Sequence, residues 1–190
     1  MSDEHNPEDR ASDRIADELL VVRCQLGEPE AFDALIERWR GPLWSYIRRM
    51  TGDQDEAQDL LQEVWLRIIR GIARLRDASR FRGWLFGIAR RTLMDRLRRE
   101  YATLQVDDID VSELAAQQEP AGIETDLASM GAALETLPTI ERDVLTLFYL
   151  NDLTLAELAE TLSVPVGTVK SRLFRARGML RAAMQERHYS

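Results

Sequence analysis

Apolar residues recur along this chain at the three-and-four spacing of helices, and no segment sustains the alternation of a strand. A helical period begins at Ile15, and Phe32, Leu35, Ile36 and Trp39 then mark one helix face. Gly41 and Pro42 are expected to interrupt it, after which Leu43, Ile47 and Met50 resume the period and Gly52 supplies a stop. Asp53 with Glu56 three residues on resembles a capping box and opens the clearest helix, with Ala57, Leu60, Leu61, Val64, Trp65 and Ile68 on its core face. Asp55, Gln58, Asp59, Gln62 and Glu63 form the opposite, acidic stripe. An arginine-rich connection over residues 73–80 leads to a helix carrying Phe81, Trp84, Leu85, Ile88 and Leu97. Farther on, residues 127–137 are helical by pattern, Pro138 starts another helix, and Val144, Leu145, Leu147, Phe148 and Leu150 are expected in a core. Leu155, Leu158, Ala159 and Leu162 face inward on a short helix, Ser163, Val164 and Pro165 make a turn, and residues 166–181 form a second helix with Val169, Leu173, Ala176 and Leu180 inward. That is the outline of a helix-turn-helix.

The fold class is therefore all-α, with two small helical domains. Residues 1–14 are polar without apolar period and read as a disordered acidic tail. Residues 15–100 form the first domain. Residues 101–126 hold seven carboxylates, no basic residue, Pro120 and Gly122, and read as an acidic flexible linker. Residues 127–187 form the second domain.

Composition narrows the function. The chain has 190 residues, 45% of them hydrophobic and 31% charged, which excludes a wholly disordered protein. One cysteine, Cys24, allows no intramolecular disulfide and no cysteine cluster for a metal; with the polar start and the lack of a bilayer-length apolar run, it points to a cytoplasmic protein without membrane insertion. Cys24 reads as a buried small residue on the first helix rather than a redox sensor. Catalysis finds no support either, because His5 and His188 lie near the two ends and no glycine loop cradles phosphate. No cofactor, metal site or catalytic residue is expected.

The net charge of −8 argues against nucleic acid until it is divided along the chain. Residues 66–100 carry eleven basic and three acidic side chains, and residues 167–187 carry Lys170, Arg172, Arg175, Arg177, Arg181 and Arg187 against Glu186. Lys170, Ser171, Phe174 and Arg175 share the outer face of the last helix, where such groups can read base edges in a major groove, and Gly167 and Thr168 at its start can meet a phosphate. A solvated basic helix is the plainer reading of these features taken alone.

Residues 137–177, LPTIERDVLTLFYLNDLTLAELAETLSVPVGTVKSRLFRAR, resemble region four of bacterial RNA polymerase sigma factors. Residues 55–68, DEAQDLLQEVWLRI, resemble their region two clamp-binding helix, and residues 81–99, FRGWLFGIARRTLMDRLRR, the adjoining promoter-melting helix. With no room for further folded regions, the resemblance is to the extracytoplasmic-function (ECF) subgroup. It implies a protein that binds core RNA polymerase, recognises promoter DNA at the minus-ten and minus-thirty-five elements, helps to melt it, and is held by an anti-sigma factor. By the same resemblance Asp59, Gln62 and Glu63 would contact the polymerase clamp. Arg76, Asp77, Ser79 and Arg80 would lie in the loop that captures a flipped minus-ten base, with Arg82, Arg90, Arg98 and Arg99 holding the displaced strand. Lys170, Ser171, Phe174 and Arg175 would read the minus-thirty-five element, with Thr168 and Arg172 on phosphates. Phe81 and Trp84 are expected in the core rather than stacked on bases, and Asp95 as a partner for a nearby arginine. Arg91 stands where the family commonly has asparagine, and an arginine cannot accept a hydrogen bond there. The alternative is an autonomous helix-turn-helix regulator, whose first domain would bind a ligand or accept a phosphoryl group instead.

Overall fold

The computed structural model describes residues 7–103 and 127–188. Residues 1–6 and 104–126, which hold part of the expected tail and nearly all of the expected linker, lie outside the described residues. Among the described residues there are eight α-helices and no strand.

Helix α1 (Pro7–Gln25) starts eight residues before the apolar period does. Its first turns are held by charge: Arg38 donates to the Asp13 carboxylate at 2.8 Å, and Arg14 pairs with Glu157 at 3.2 Å. Such long-range pairs leave no periodic trace, so the sequence pattern does not predict the helix from Pro7 onward. Helix α2 (Pro29–Thr51) opens on a proline in its first turn and closes at Gly52, whose left-handed φ of 76° lets its N–H reach the Arg48 carbonyl at 3.1 Å. The expected break at Gly41 and Pro42 does not occur. An interior proline costs about 3 kcal/mol. Burial of Leu35, Trp39, Leu43, Tyr46 and Ile47 along one face, at about 1.5 to 3 kcal/mol for each large apolar side chain, outweighs it.

Helix α3 (Gln54–Gly71) is capped by Asp53, which accepts the Glu56 N–H at 2.8 Å. The Glu56 side chain lies 3.5 Å from Arg96, which ties α3 to the following helix. Two short turns, Ile72–Arg74 and Ala78–Arg80, then lead into α4 (Phe81–Thr103). Gln25 at the end of α1 donates to the Ile72 and Leu75 carbonyls at 3.0 and 2.8 Å and so fixes the arginine-rich connection. Trp39 packs edge-on against Phe81 and Phe86, with centroids 5.8 and 6.1 Å apart, and Tyr46 does so against Phe86 at 5.7 Å. Phe81 is buried and Trp84 half-buried, as their spacing with Leu85 and Ile88 predicts.

The second half contains α5 (Leu127–Thr136), α6 (Thr139–Leu145), α7 (Leu155–Leu162) and α8 (Val166–His188). Helix α6 runs into a wide π-helical turn, Thr146–Leu150. That turn shifts the helical register, so Leu150, expected in the core, is 36% exposed. Thr154 and Glu157 form a complete capping box at the start of α7, and Ser163 turns the chain with a left-handed φ of 55°. Val169, Leu173 and Ala176 of α8 are buried against α6 and α7. The apolar cores of the two halves join into one, with α7 packed on α4 and α6 on α2.

Candidate nucleic-acid interface

Helix α3 presents Asp55, Gln58, Asp59 and Gln62 to solvent. Glu63 is partly exposed and is joined to Arg67 at 2.6 Å, one helical turn away. Leu66 and Ile69, 52% and 42% exposed, continue the Asp59–Gln62 face at three- and four-residue steps. The sequence reading missed this apolar extension, although the spacing of the two leucine-sized residues beyond Gln62 was its signal.

The connection between α3 and α4 brings Arg76, Asp77, Ser79 and Arg80 into one exposed turn. Asp77 accepts from the Ser79 N–H at 3.0 Å and from its hydroxyl at 2.6 Å, and these bonds hold the Asp77 carboxyl below the usual carboxylate range. Arg80 forms an ion pair with Glu160 of α7. Arg98 and Arg99 are exposed at the other end of α4, roughly 27 Å away at 1.5 Å per residue. Arg98 pairs with Asp95 at 3.2 Å, and Arg99 donates to the Asp95 carbonyl at 3.2 Å, so Asp95 is the internal partner that its position predicts. The minus-ten set is thus a strip along α4 and the turn before it, not a single cluster.

Two arginines of that set are held inside the protein. Arg82, with its side chain 13% exposed, donates to Asp17 at 2.8 Å and stacks over the Trp39 ring at 5.1 Å. Asp17 is 2% exposed and also accepts from Arg38 at 2.7 Å and from the Trp39 N–H at 3.1 Å. Arg82 therefore has little surface left for a phosphate here, and its contacts tie α4 to α1 and α2. Arg90 donates to Asp143 of α6 at 2.7 Å, and the Tyr46 hydroxyl donates to the other oxygen of that carboxylate at 2.9 Å. Burial pushes the Asp143 carboxyl up, against the opposing pull of Arg90, Tyr46 and Arg172. Burial likewise holds the Tyr46 phenol well above its usual range, so it remains a hydrogen-bond donor. Neither Asp17 nor Asp143 was singled out from the sequence, since a carboxylate at a core position has no periodic signature.

On α8, Lys170 and Arg175 are exposed, and Ser171 and Phe174 half-exposed, on the face away from Val169 and Leu173. The Ser171 hydroxyl donates to the Thr168 carbonyl at 3.0 Å, which leaves its lone pairs outward. Arg175 is joined to Glu141, a buried carboxylate of α6, while 46% of its side chain stays exposed. Arg172 is half-buried and within electrostatic reach of Asp143. Arg91 is exposed on α4. No helix among the described residues is long and apolar enough to cross a membrane.

An all-helical chain with an acidic helix face, an arginine strip and a helix-turn-helix whose second helix is open on its polar side has the parts of a promoter-recognition factor. The Sigma-70 region 2 profile matches residues 35–103, and the Sigma-70, region 4 profile matches residues 127–180. The RNA polymerase sigma-H factor of Pseudomonas aeruginosa is 32% identical over 181 residues, covering 89% of this chain and 94% of that protein. The ECF RNA polymerase sigma-E factor of Escherichia coli is 30% identical over 179 residues, covering 87% and 93%. The fold matches a solved structure of CnrH in complex with the cytosolic domain of CnrY, with a TM-score of 0.66, 23% identity and coverage of 90% of this chain and 98% of that one. It also matches the Bartonella quintana sigma factor RpoE in complex with the anti-sigma factor NepR, with a TM-score of 0.65, 22% identity and coverage of 81% and 96%. The chain belongs to the ECF RNA polymerase sigma factors.

Proposed function

We propose that this sigma factor divides its work between two units, residues 15–100 and residues 127–187, joined by the acidic segment 101–126. It acts in the cytoplasm, has no catalysis of its own, and directs the chemistry of core RNA polymerase to chosen promoters. Asp59, Gln62 and Glu63 meet the polymerase clamp, and the same face continues onto Leu66 and Ile69, so that polar contacts set orientation and apolar burial adds affinity. Arg76, Asp77, Ser79 and Arg80, with Arg90, Arg98 and Arg99, follow the unpaired minus-ten strand through phosphate contacts and base capture. Lys170, Ser171, Phe174 and Arg175 read the minus-thirty-five base edges, and Thr168 and Arg172 approach phosphates. An anti-sigma factor is the expected regulatory partner.

The observation that carries this reading is one chain presenting both the solvent-facing α3 stripe and the outward polar face of α8. An autonomous regulator needs the second face but not the first. Promoter-directed transcription with purified core polymerase tests it: the protein alone should bind promoter DNA weakly, and the protein with core should give salt-sensitive, promoter-specific transcripts. Tight specific binding by the protein alone, with no transcript on adding core, would return the reading to an autonomous regulator.

A further inference from the structure

The side chains proposed to read the minus-thirty-five element are not held alike. Lys170 is exposed and has no hydrogen bond or ion pair among the described residues. Ser171 bonds within its own helix, to the Thr168 carbonyl at 3.0 Å. Arg175 instead reaches across to α6, where its Nη2 donates to Oε1 of Glu141. The two ends of that pair differ in exposure, with the Glu141 side chain 7% exposed and the Arg175 side chain 46%. Glu141 lies in the first turn of α6, a helix packed on α8, whose Val169, Leu173 and Ala176 are buried. An acid at this place is not explained by the core, which α6 supplies through Val144 and Leu145.

We infer that Glu141 is a positioning residue for promoter reading: it anchors one end of the Arg175 guanidinium and aims the rest of the fork at a guanine of the minus-thirty-five element. The inference rests on the function proposed above, in particular on Arg175 meeting a base edge. A guanidinium carries five N–H donors in one plane. The bond to Glu141 uses one, which leaves enough for the two acceptors, O6 and N7, that guanine shows in the major groove. A free arginine loses rotamer freedom when it docks, and one already held loses less. The opposite arrangement, a Glu141 that competes with DNA for Arg175, conflicts with the burial. A carboxylate 7% exposed on a helix packed against α8 has no path to solvent, and taking Arg175 from it would leave a buried charge unpaired. The pair therefore persists while Arg175 reads. Its negative charge also tempers the attraction of Arg175 for phosphates, which are the same at every sequence, so Glu141 favours selectivity over bare affinity.

The test uses the full chain bound to core polymerase. Its probe is a pool of duplexes randomised across the minus-thirty-five element, upstream of one fixed pre-melted bubble. Bound duplexes are sequenced, and discrimination is scored at each position. Arg175→Ala should erase the preference for a G·C pair at one position. Glu141→Gln keeps the volume and removes the charge; it should lower the preference at that same position about fivefold, the worth of one well-placed hydrogen bond. Other positions should read as in the wild type, and the pool as a whole should be bound at least as tightly. In an Arg175→Ala background, Glu141→Gln should change no position further. Glu141→Asp keeps the charge on a chain one carbon shorter, and should give an intermediate loss, about twofold, should Glu141→Gln fold poorly by circular dichroism. Unchanged preference in a folded Glu141→Gln or Glu141→Asp chain overturns the inference. So does a loss spread evenly over all positions, the mark of a disturbed α6–α8 contact, and so does a sharpened preference, which would make Glu141 a competitor. The parent assignment is read separately by Arg175→Ala: if that variant keeps every preference, Arg175 is not a reader and both proposals fall, whereas a preference lost in Arg175→Ala and kept in Glu141→Gln condemns the positioning role alone.

Discussion

Replacing Asp17 by alanine probes the charge hub that joins α1, α2 and α4. The carboxylate is 2% exposed and accepts from Arg38, Trp39 and Arg82 at 2.7, 3.1 and 2.8 Å. Alanine removes all three hydrogen bonds. Arg38 keeps Asp13 at 2.8 Å and is a third exposed, so it loses little. Arg82, only 13% exposed, keeps the Trp39 ring but no counter-ion. Deleting one partner of a buried pair costs about 3 to 5 kcal/mol, chiefly through the charge left behind. At about 2 to 4 °C per kcal/mol for a protein of this size, Tm should fall by roughly 6 to 20 °C. Asp17→Asn should fall between, since its oxygen still serves Arg38 and Trp39 while its amide group turns a donor toward Arg82. Asp13→Ala should cost less than about 1 kcal/mol, because its side chain is 40% exposed and Asp17 remains on Arg38. Urea and thermal unfolding followed by circular dichroism at 222 nm measure all three. An Asp17→Ala protein within about 0.5 kcal/mol of wild type, or an Asp13→Ala protein that loses as much as Asp17→Ala, would refute the hub.

Asp59→Lys with Glu63→Lys should abolish core-polymerase binding in a pull-down and leave the melting curve nearly unchanged, since Asp59 is exposed and the Glu63–Arg67 pair is half-exposed; retained transcription at ordinary core concentrations would show that α3 is not the clamp face. Arg175→Ala should relax selection at one minus-thirty-five base pair by about 1 to 3 kcal/mol and leave strand opening itself intact, so permanganate footprinting should show it impaired on both duplex and pre-melted templates that require that element; an equal defect on templates lacking the minus-thirty-five element would mean that the loss comes from the Glu141 contact instead. Cys24 is buried, and burial raises its thiol pKa, with Glu28 adding to the rise and Arg23 opposing it. Because the thiolate is the reactive form, labelling by a thiol reagent at pH 8 should be slow in the folded protein and fast in urea; native labelling at the rate of free cysteine would contradict the burial.

What the sequence made legible is what periodicity encodes. The α3 core face, the α7–α8 helix-turn-helix and the core roles of Phe81 and Asp95's arginine pairing all follow from residues within one or two helical turns of each other. Features set by distant partners were not legible. The first turns of α1 are polar, and Arg38 and Glu157 hold them from 25 and 143 residues away. Pro42 obeys its local rule in deleting a backbone bond, yet tertiary burial overrides the break. Arg82 and Arg90 look like any basic residue on a basic helix; only the fold reveals that Asp17 and Asp143 already face them. Leu150 was misplaced because a π-helical turn changes the register that periodicity assumes to be constant.

The same pairing explains why a net charge of −8 is a poor guide to this protein's affinity for DNA. Asp17, Glu141, Asp143, Glu157 and Glu160 are each engaged with an arginine, so these five carboxylates are offset where they stand, and the net charge does not describe the surface point by point. What a nucleic acid meets is the local field of the exposed arginines and Lys170, and that field strengthens whenever a carboxylate withdraws.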